Sequence, residues 1–306
     1  MEFVEGRFMK DQKFLPQQQI RVPVTGGELS VFSYGPDGNE PVLLIHGVTS
    51  SNRAFQLVAQ SLIKRGKTPF AVDLRGRGNS NSLPGPFGMK RHAQDIAAVC
   101  DYFAWKKIDL IGHSMGAFVT VAVLGLFPTL VKRAVFADGG IPLPLPPGMT
   151  VEQVMPFVLG PALSRLSMTF ESHQTYRDYW KQQAAFVKGW SPALDEYVDY
   201  DLKGSAPHLK PATNPVAVEE DSRDLFGEDL IDATLKNLKD EVLFIKAERG
   251  LQNEPGGLYP MSVLEQVLPQ YPKLKLVTLD NCNHYDMFLE SSGAERVAAA
   301  VYGAMA

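Results

Sequence analysis

The chain has 306 residues, 45% of them hydrophobic and 21% charged, which is typical of a globular protein long enough to bury a substantial core. Its formal net charge of −4 offers no basic surface for nucleic acid or an anionic membrane. The N-terminal stretch mixes acidic and basic residues, and no window reaches the roughly 18 apolar residues of a membrane span. We therefore expect a cytoplasmic protein that binds neither nucleic acid nor membrane.

The sequence shows no pattern typical of a metal or cofactor site. Its two cysteines, Cys100 and Cys282, lie far apart, which excludes a disulfide framework and suits a reducing compartment. No glycine-rich phosphate loop or dinucleotide fingerprint follows a predicted strand. The acidic run of Glu219, Glu220 and Asp221 has no accompanying histidines, so we interpret it as a solvated helix face. We expect no metal and no cofactor.

Between residues 27 and 139 short apolar runs alternate with longer helix-like stretches. Apolar runs predict strands over 28–35, 41–47, 68–74, 108–112 and 131–138. Helical spacing predicts helices over 53–66, 89–105 and 117–127. Strands separated by helices indicate a mostly parallel sheet with helices on both faces.

The pattern breaks at residues 139–148, where four prolines exclude a regular helix or a central strand. The following stretch is helix-like and rich in aromatic residues. Strands then return over 241–247 and 273–280, and a last helix is predicted over 292–305. We interpret residues 1–139 and 231–306 as two parts of one core, with residues 140–230 inserted as a helical lid.

The strand over 108–112 ends in the G-x-S-x-G pattern of Gly112, Ser114 and Gly116. This spacing is typical of a nucleophile elbow, a sharp strand-to-helix turn that exposes a serine hydroxyl. Such a serine needs a base, and His284 follows the last predicted strand. Because the loops after parallel strands gather at one edge of the sheet, Ser114 and His284 are predicted to meet as nucleophile and general base.

The same edge supplies candidate donors for an oxyanion. Gly47, after the second predicted strand, lets the backbone approach the site, so that the N–H of Val48 can point into it. The second predicted donor is the N–H of Met115, at the positive end of the following helix. We interpret His46 as structural, with its ring buried beneath this loop, and expect the ring of His113 to point away from the nucleophile.

These motifs together resemble the α/β-hydrolase superfamily, in its lid-bearing esterase, lactonase and C–C hydrolase branch. The matching stretches are LLIHGVTSS, VDLRGRGNS, GHSMG, FADGG and NCNH. The resemblance implies a mostly parallel, doubly wound sheet (α/β) with a helical lid inserted between late strands. Arg77 stands where many members carry histidine, and we expect no catalytic consequence from this departure.

The triad acid departs from the usual family pattern. In the superfamily it usually follows the strand before the histidine strand, and that position falls here on Gly250, with Glu248 at the preceding position. Some members carry the acid one strand earlier, which corresponds to Asp138 in this chain. We favour Asp138, with Glu248 as the alternative, and behind it either Glu254 or no acid at all.

The resemblance implies a serine hydrolase that cleaves an ester or lactone of a small to medium hydrophobic substrate through an acyl-enzyme on Ser114. Val48, Met115, Trp180 and Met287 are the predicted substrate contacts, and we expect a monomer or homodimer. Three alternatives stay open: a C–C bond hydrolase, a cofactor-free haloperoxidase or perhydrolase on the same triad, and a non-enzymatic receptor for a small ligand.

Overall fold

The computed structural model describes residues 18–36, 39–187 and 189–303. The strands in these ranges are β1 Gln18–Val24, β2 Gly27–Ser33, β3 Glu40–Ile45, β4 Lys67–Asp73, β5 Ile108–His113, β6 Val131–Ala137, β7 Leu202–Lys203, β8 Lys210–Pro211, β9 Val242–Arg249 and β10 Leu274–Asn283. The α-helices are α1 Gln56–Ile63, α2 Met89–Tyr102, α3 Met115–Leu126, α4 Val151–Leu159, α5 Pro161–Ser164, α6 His173–Lys181, α7 Pro192–Asp201, α8 Pro215–Arg223, α9 Asp229–Lys236, α10 Met261–Val267, α11 Asp286–Leu289 and α12 Ser291–Tyr302.

Eight of these strands form one sheet in the order β1-β2-β4-β3-β5-β6-β9-β10. The strands from β4 to β10 along this order run parallel, while β1 and β2 are antiparallel to their neighbours. The predicted α/β class with a mostly parallel sheet is confirmed. The sequence interpretation missed β1, which pairs with β2 alone and so tolerates Pro23 at the sheet edge.

Side chains alternate across the sheet and are buried on both of its faces, as β3 illustrates. Val42 and Leu44 belong to a cluster that includes residues of α1 and α12, whereas Leu43 and Ile45 belong to a second cluster with residues of α2, α3 and α9. Both faces are therefore covered by helices, as expected of a doubly wound sheet.

The chain between β6 and β9 carries α4 to α9 and the short β7–β8 ribbon, and we refer to its residues 140–236 as the helical insertion. Its α6 and α7 form a separate cluster around Tyr176, Trp180 and Tyr197. By contrast, Ile231 and Leu235 of α9 pack in the main core, so the predicted boundary at residue 231 lies inside a helix. The division into core and lid stays a prediction.

The parallel strands bring four segments to one edge of the sheet. Residues 46–51, hereafter the β3 loop, follow β3, Ser114 follows β5, Asp138 follows β6 and His284 follows β10. This arrangement sets the geometry of the candidate site. None of the helices in the described part of the chain is long and apolar enough to cross a membrane.

Candidate active site

Ser114 occupies a strained turn between β5 and α3. Its backbone has φ 55° and ψ −123°, a region that residues with a side chain rarely adopt. Glycines on either side allow the turn, because a Cβ on Gly112 would lie 2.2 Å from the carbonyl oxygen of Gly116, and one on Gly116 would lie 1.9 Å from that of Ile45. The start of α3 therefore packs directly against the end of β3.

Asp138 and His284 form a buried hydrogen-bonded pair next to this turn. His284 Nδ1 lies 2.6 Å from Asp138 Oδ2, and both side chains are at most 3% exposed. The backbone N–H of Ala247 donates to Asp138 Oδ1 over 3.1 Å, and the N–H of Asp138 donates to the carbonyl of Ile245 over 2.7 Å. Because a carboxylate accepts from Nδ1–H, the Nε2 atom of His284 is left free to accept a proton.

The alternative acids lie elsewhere. Glu248 is exposed, and its Oε2 accepts from the backbone N–H of Asn281 over 2.5 Å. Glu254 is also exposed and accepts from the N–H of Gln252 over 2.8 Å. The geometry therefore favours Asp138 over both glutamates as the partner of His284.

His46 lies under the β3 loop. Its Nδ1–H donates to the carbonyl of Gly47 over 2.8 Å, and its Nε2 accepts from the N–H of Leu74 over 3.0 Å. Burial lowers the pKa of His46 to about 4, so the ring is neutral near pH 7. These contacts agree with a structural role.

His113 contacts the candidate base. Its ring centroid lies 4.4 Å from that of His284, and its Nε2–H donates to the backbone carbonyl of His284 over 3.1 Å. Burial, together with the neighbouring His284, lowers the pKa of His113 well below its usual value, so this ring presents no second positive charge. The sequence interpretation missed this contact, because the two residues lie 171 positions apart.

Three consecutive carbonyls of the β3 loop are held by buried side chains. His46 and the N–H of Ser50 both donate to the carbonyl of Gly47, the latter over 3.2 Å. The next two carbonyls accept from arginines: Arg77 Nε donates to Val48 over 2.9 Å, and Arg165 Nη2 donates to Thr49 over 2.7 Å. Both arginines are at most 1% exposed, so the loop is fixed from inside the protein.

Arg77 also belongs to a buried charged cluster, which corrects one expectation. Asp221 is fully buried and accepts from Arg77 Nη1, from His92 Nε2 over 3.0 Å and from the N–H of Gly88 over 2.6 Å. Burial alone would raise the pKa of Asp221, but His92 and Arg77 hold it at about 2. Of the acidic run interpreted as a solvated face, Glu219 is exposed, whereas Asp221 points inward because Arg77 reaches it.

A narrow cavity of about 30 Å³ opens in front of Ser114. Ser114, His284 and Val48 line it together, and a Cβ on Gly47 would lie 3.3 Å from Ser114 Oγ, so the glycine allows this close approach. The rest of the lining is mostly apolar and includes Ala54, Leu159, Tyr197, Leu251, Phe288 and Leu289.

Two predicted substrate contacts do not reach this cavity. Trp180 packs among the aromatic residues of α6 and α7, with the guanidinium of Arg165 5.1 Å from its ring. Met287 is fully buried in the core against α1 and α12. The side chain of Met115 is also buried in the core, so its predicted contribution is limited to the backbone N–H at the start of α3. Within the described ranges, no group of three or more His, Cys, Asp or Glu residues could hold a metal ion.

The chain is similar to curated proteins over about a third of its length. A probable alcohol acetyltransferase from Wickerhamomyces anomalus is 35% identical over 108 residues, which are 35% of this chain and 31% of that protein. A serine hydrolase-like protein from Danio rerio is 30% identical over 122 residues, which are 39% of this chain and 37% of that protein. The matched segment thus spans about a third of the length of these relatives.

Solved structures match over nearly the whole chain, at low identity. E-2-(acetamidomethylene)succinate hydrolase superposes with a TM-score of 0.73 and 21% identity, covering 92% of this chain and 98% of that one. Carboxylesterase CesB from Bacillus subtilis gives a TM-score of 0.65 and 18% identity, covering 94% and 92%. A family model described as the alpha/beta hydrolase family matches residues 42–300. Because this family model covers most of the chain, including most strands of its main sheet, the chain belongs to the alpha/beta hydrolase family.

Proposed function

We propose that the protein is a serine hydrolase that cleaves short-chain carboxylic esters through an acyl-enzyme on Ser114. The observation that carries the proposal is the opening of one cavity onto both Ser114, in its strained turn, and His284, which is hydrogen-bonded to the buried Asp138. Acyl transfer to water requires a nucleophile beside a base that an acid orients, and Ser114 lines the same cavity as His284, whose Nδ1 is bound to Asp138.

In the proposed reaction, Ser114 Oγ attacks the substrate carbonyl carbon while His284 Nε2 takes its proton. The N–H groups of Val48 and Met115 stabilise the oxyanion that develops on the carbonyl oxygen. His284 then protonates the leaving alcohol, and the C–O bond breaks to give the acyl-enzyme. A water molecule, deprotonated by His284, releases the acid, while Asp138 holds the imidazole ring in the correct tautomer throughout.

The size of the cavity supports a short acyl group. Drug-sized ligands occupy pockets of roughly 300–1,000 Å³, ten or more times the free volume of about 30 Å³ in front of Ser114. Its mostly apolar lining favours a hydrocarbon chain over a charged one. We therefore propose acetate and propionate esters as better substrates than longer ones.

A second candidate activity is transfer of the same acyl group to an alcohol. Water and an alcohol can both attack the acyl-enzyme with His284 as base, and a narrow apolar cavity favours a short alcohol over water. The similarity to a probable alcohol acetyltransferase supports this candidate. In that reaction the alcohol gives its proton to His284, and the product is a new ester in place of a free acid.

The experiment that tests both candidates is a p-nitrophenyl ester series from acetate to octanoate, with and without added ethanol. We expect the highest kcat/KM on acetate, and a loss of roughly 10⁴-fold or more in Ser114→Ala. The exposed Ser167 lies in the helical insertion, and Ser167→Ala serves as the matched control. Ethyl acetate formed in proportion to ethanol would establish transfer to an alcohol. Turnover retained by Ser114→Ala would refute the mechanism, and no turnover by the folded wild type would favour the receptor alternative.

A further inference from the structure

The β3 loop is contacted by an arginine that belongs to the helical insertion. Arg165 follows α5 and is 1% exposed. Its Nη2 donates to the carbonyl of Thr49 over 2.7 Å. Its remaining contacts keep it within the insertion: Nε donates to the hydroxyl of Tyr176 over 2.7 Å, and the guanidinium forms a 3.0 Å ion pair with Asp201. Arg165 thus joins the insertion to a loop of the sheet edge.

This contact reaches the candidate oxyanion donor through two peptide planes. In a trans peptide the C=O and the following N–H point in opposite directions, so holding the carbonyl of Thr49 fixes the N–H of Ser50. That N–H donates to the carbonyl of Gly47 over 3.2 Å. Holding the carbonyl of Gly47 in turn fixes the direction of the N–H of Val48. A shift of Arg165 would therefore be transmitted to the Val48 donor.

We propose that Arg165 is a positioning residue, which aims the Val48 N–H at the oxyanion and makes a competent site depend on docking of the helical insertion. The proposal rests on the proposed function. Arg165 is outside the lining of the Ser114 cavity, and its donors are engaged by Thr49, Ala162, Tyr176 and Asp201, so it acts through the loop rather than on the substrate. The planar guanidinium group of Arg165 suits a positioning role, because its N–H groups bind several acceptors in fixed directions at once.

The test is Arg165→Met, assayed with p-nitrophenyl acetate and with ethyl trifluoromethyl ketone. This ketone forms a hemiketal with the serine, and its oxygen occupies the oxyanion position. We expect kcat to fall roughly 10- to 100-fold, with KM changed less than about twofold, because misplacing one donor weakens the transition state selectively. Affinity for the ketone should fall by the same factor as kcat/KM.

The matched control is Arg177→Met. Arg177 in α6 forms ion pairs with Asp195 and Asp199 of α7, so it joins two helices of the same insertion. Its pair with Asp199 is about a quarter exposed. We expect wild-type kcat and ketone affinity. Arg165→Met leaves the partly buried Asp201 carboxylate without its ion-pair partner, which can prevent folding. If the single variant does not fold, the double variant Arg165→Met with Asp201→Asn, which removes both charges, is assayed in its place.

A folded Arg165 variant with wild-type kcat, or one that changes KM alone, would overturn the proposal. Circular dichroism and thermal unfolding establish that each variant is folded. Absence of Ser114-dependent turnover in the wild type would overturn the proposed function and this proposal with it. Wild-type turnover with an unaffected Arg165 variant overturns this proposal alone.

Discussion

The two halves of the candidate site are held in place by different means. On the nucleophile side, backbone packs on backbone: a Cβ on Gly116 would lie 1.9 Å from the carbonyl of Ile45, and one on Gly139 would lie 2.0 Å from that of Ser114. The β3 loop is held instead by side chains, among them Arg77 and Arg165, which lie 29 and 116 positions from the carbonyls they bind. The position of the nucleophile thus depends on close backbone packing that glycines allow, whereas the loop depends on buried charged side chains.

Asp138→Asn tests the nucleophile side with the largest expected effect. An amide in place of the carboxylate can favour the wrong tautomer of His284, so kcat should fall by roughly 10⁴-fold. Glu248→Gln is the matched control and should change kcat less than about twofold, because Glu248 is exposed and bound to the backbone of Asn281. Steady-state kinetics on p-nitrophenyl acetate measures both. The opposite result would assign the acid to Glu248, near the end of β9.

Gly116→Ala tests whether backbone packing sets the position of Ser114. The added Cβ would clash with the main chain of β3. A strand in the middle of the sheet cannot move aside as a flexible side chain can, so α3 and Ser114 must shift. We expect kcat to fall about 100-fold and the free energy of unfolding to fall by about 1–3 kcal/mol. Gly189→Ala is the control, since a Cβ there meets nothing within 4 Å. Wild-type kcat in Gly116→Ala would show that the turn tolerates displacement.

The same difference explains what the sequence could predict. The turn at Ser114 needs glycines at fixed spacing within five residues, so the motif can be recognised from the sequence alone. Asp138 was favoured because the usual acid position is occupied by Gly250, and its hydrogen bond to His284 agrees with that choice, although its catalytic role stays a prediction. The fold class followed from the alternation of strands and helices; the strands missed among the described residues were the edge strand β1 of the main sheet and the short β7–β8 ribbon.

The partners of the β3 loop gave no comparable signal. Arg165 lies in a helical stretch where an arginine normally faces solvent, and its burial is visible only once α6 and α7 enclose it. The sequence singles out Arg77, because many members of the family carry histidine at this position. It does not indicate the contact of Arg77 with Asp221, because the two residues lie 144 positions apart. Contacts of this kind are set by tertiary packing and leave no periodic pattern.

Arg77→Lys tests the loop side from the core rather than from the insertion. Lysine keeps a positive charge near Asp221 but lacks the planar fork that also holds the carbonyl of Val48. We expect kcat to fall roughly tenfold, with KM nearly unchanged, because the loop loses one of its anchors. Arg223→Lys is the control, since Arg223 is half exposed and its ion pairs with Glu152 and Glu219 lie on the surface. A rise in KM alone would mean that Arg77 affects binding rather than the transition state.

The last expected effect concerns selectivity rather than the overall rate, and it depends on the insertion through Leu159 of α4. This side chain is 4% exposed and lines the Ser114 cavity. Leu159→Ala should enlarge the cavity and raise the ratio of kcat/KM on butanoate to that on acetate, by roughly fourfold for each methylene newly buried, since a buried methylene contributes about 0.8 kcal/mol. Phe157→Ala, on the same helix but 74% exposed, should leave the ratio unchanged. An equal ratio in both variants would mean that α4 does not limit the acyl chain, and that the β3 loop contacts are the main way the insertion acts on the site.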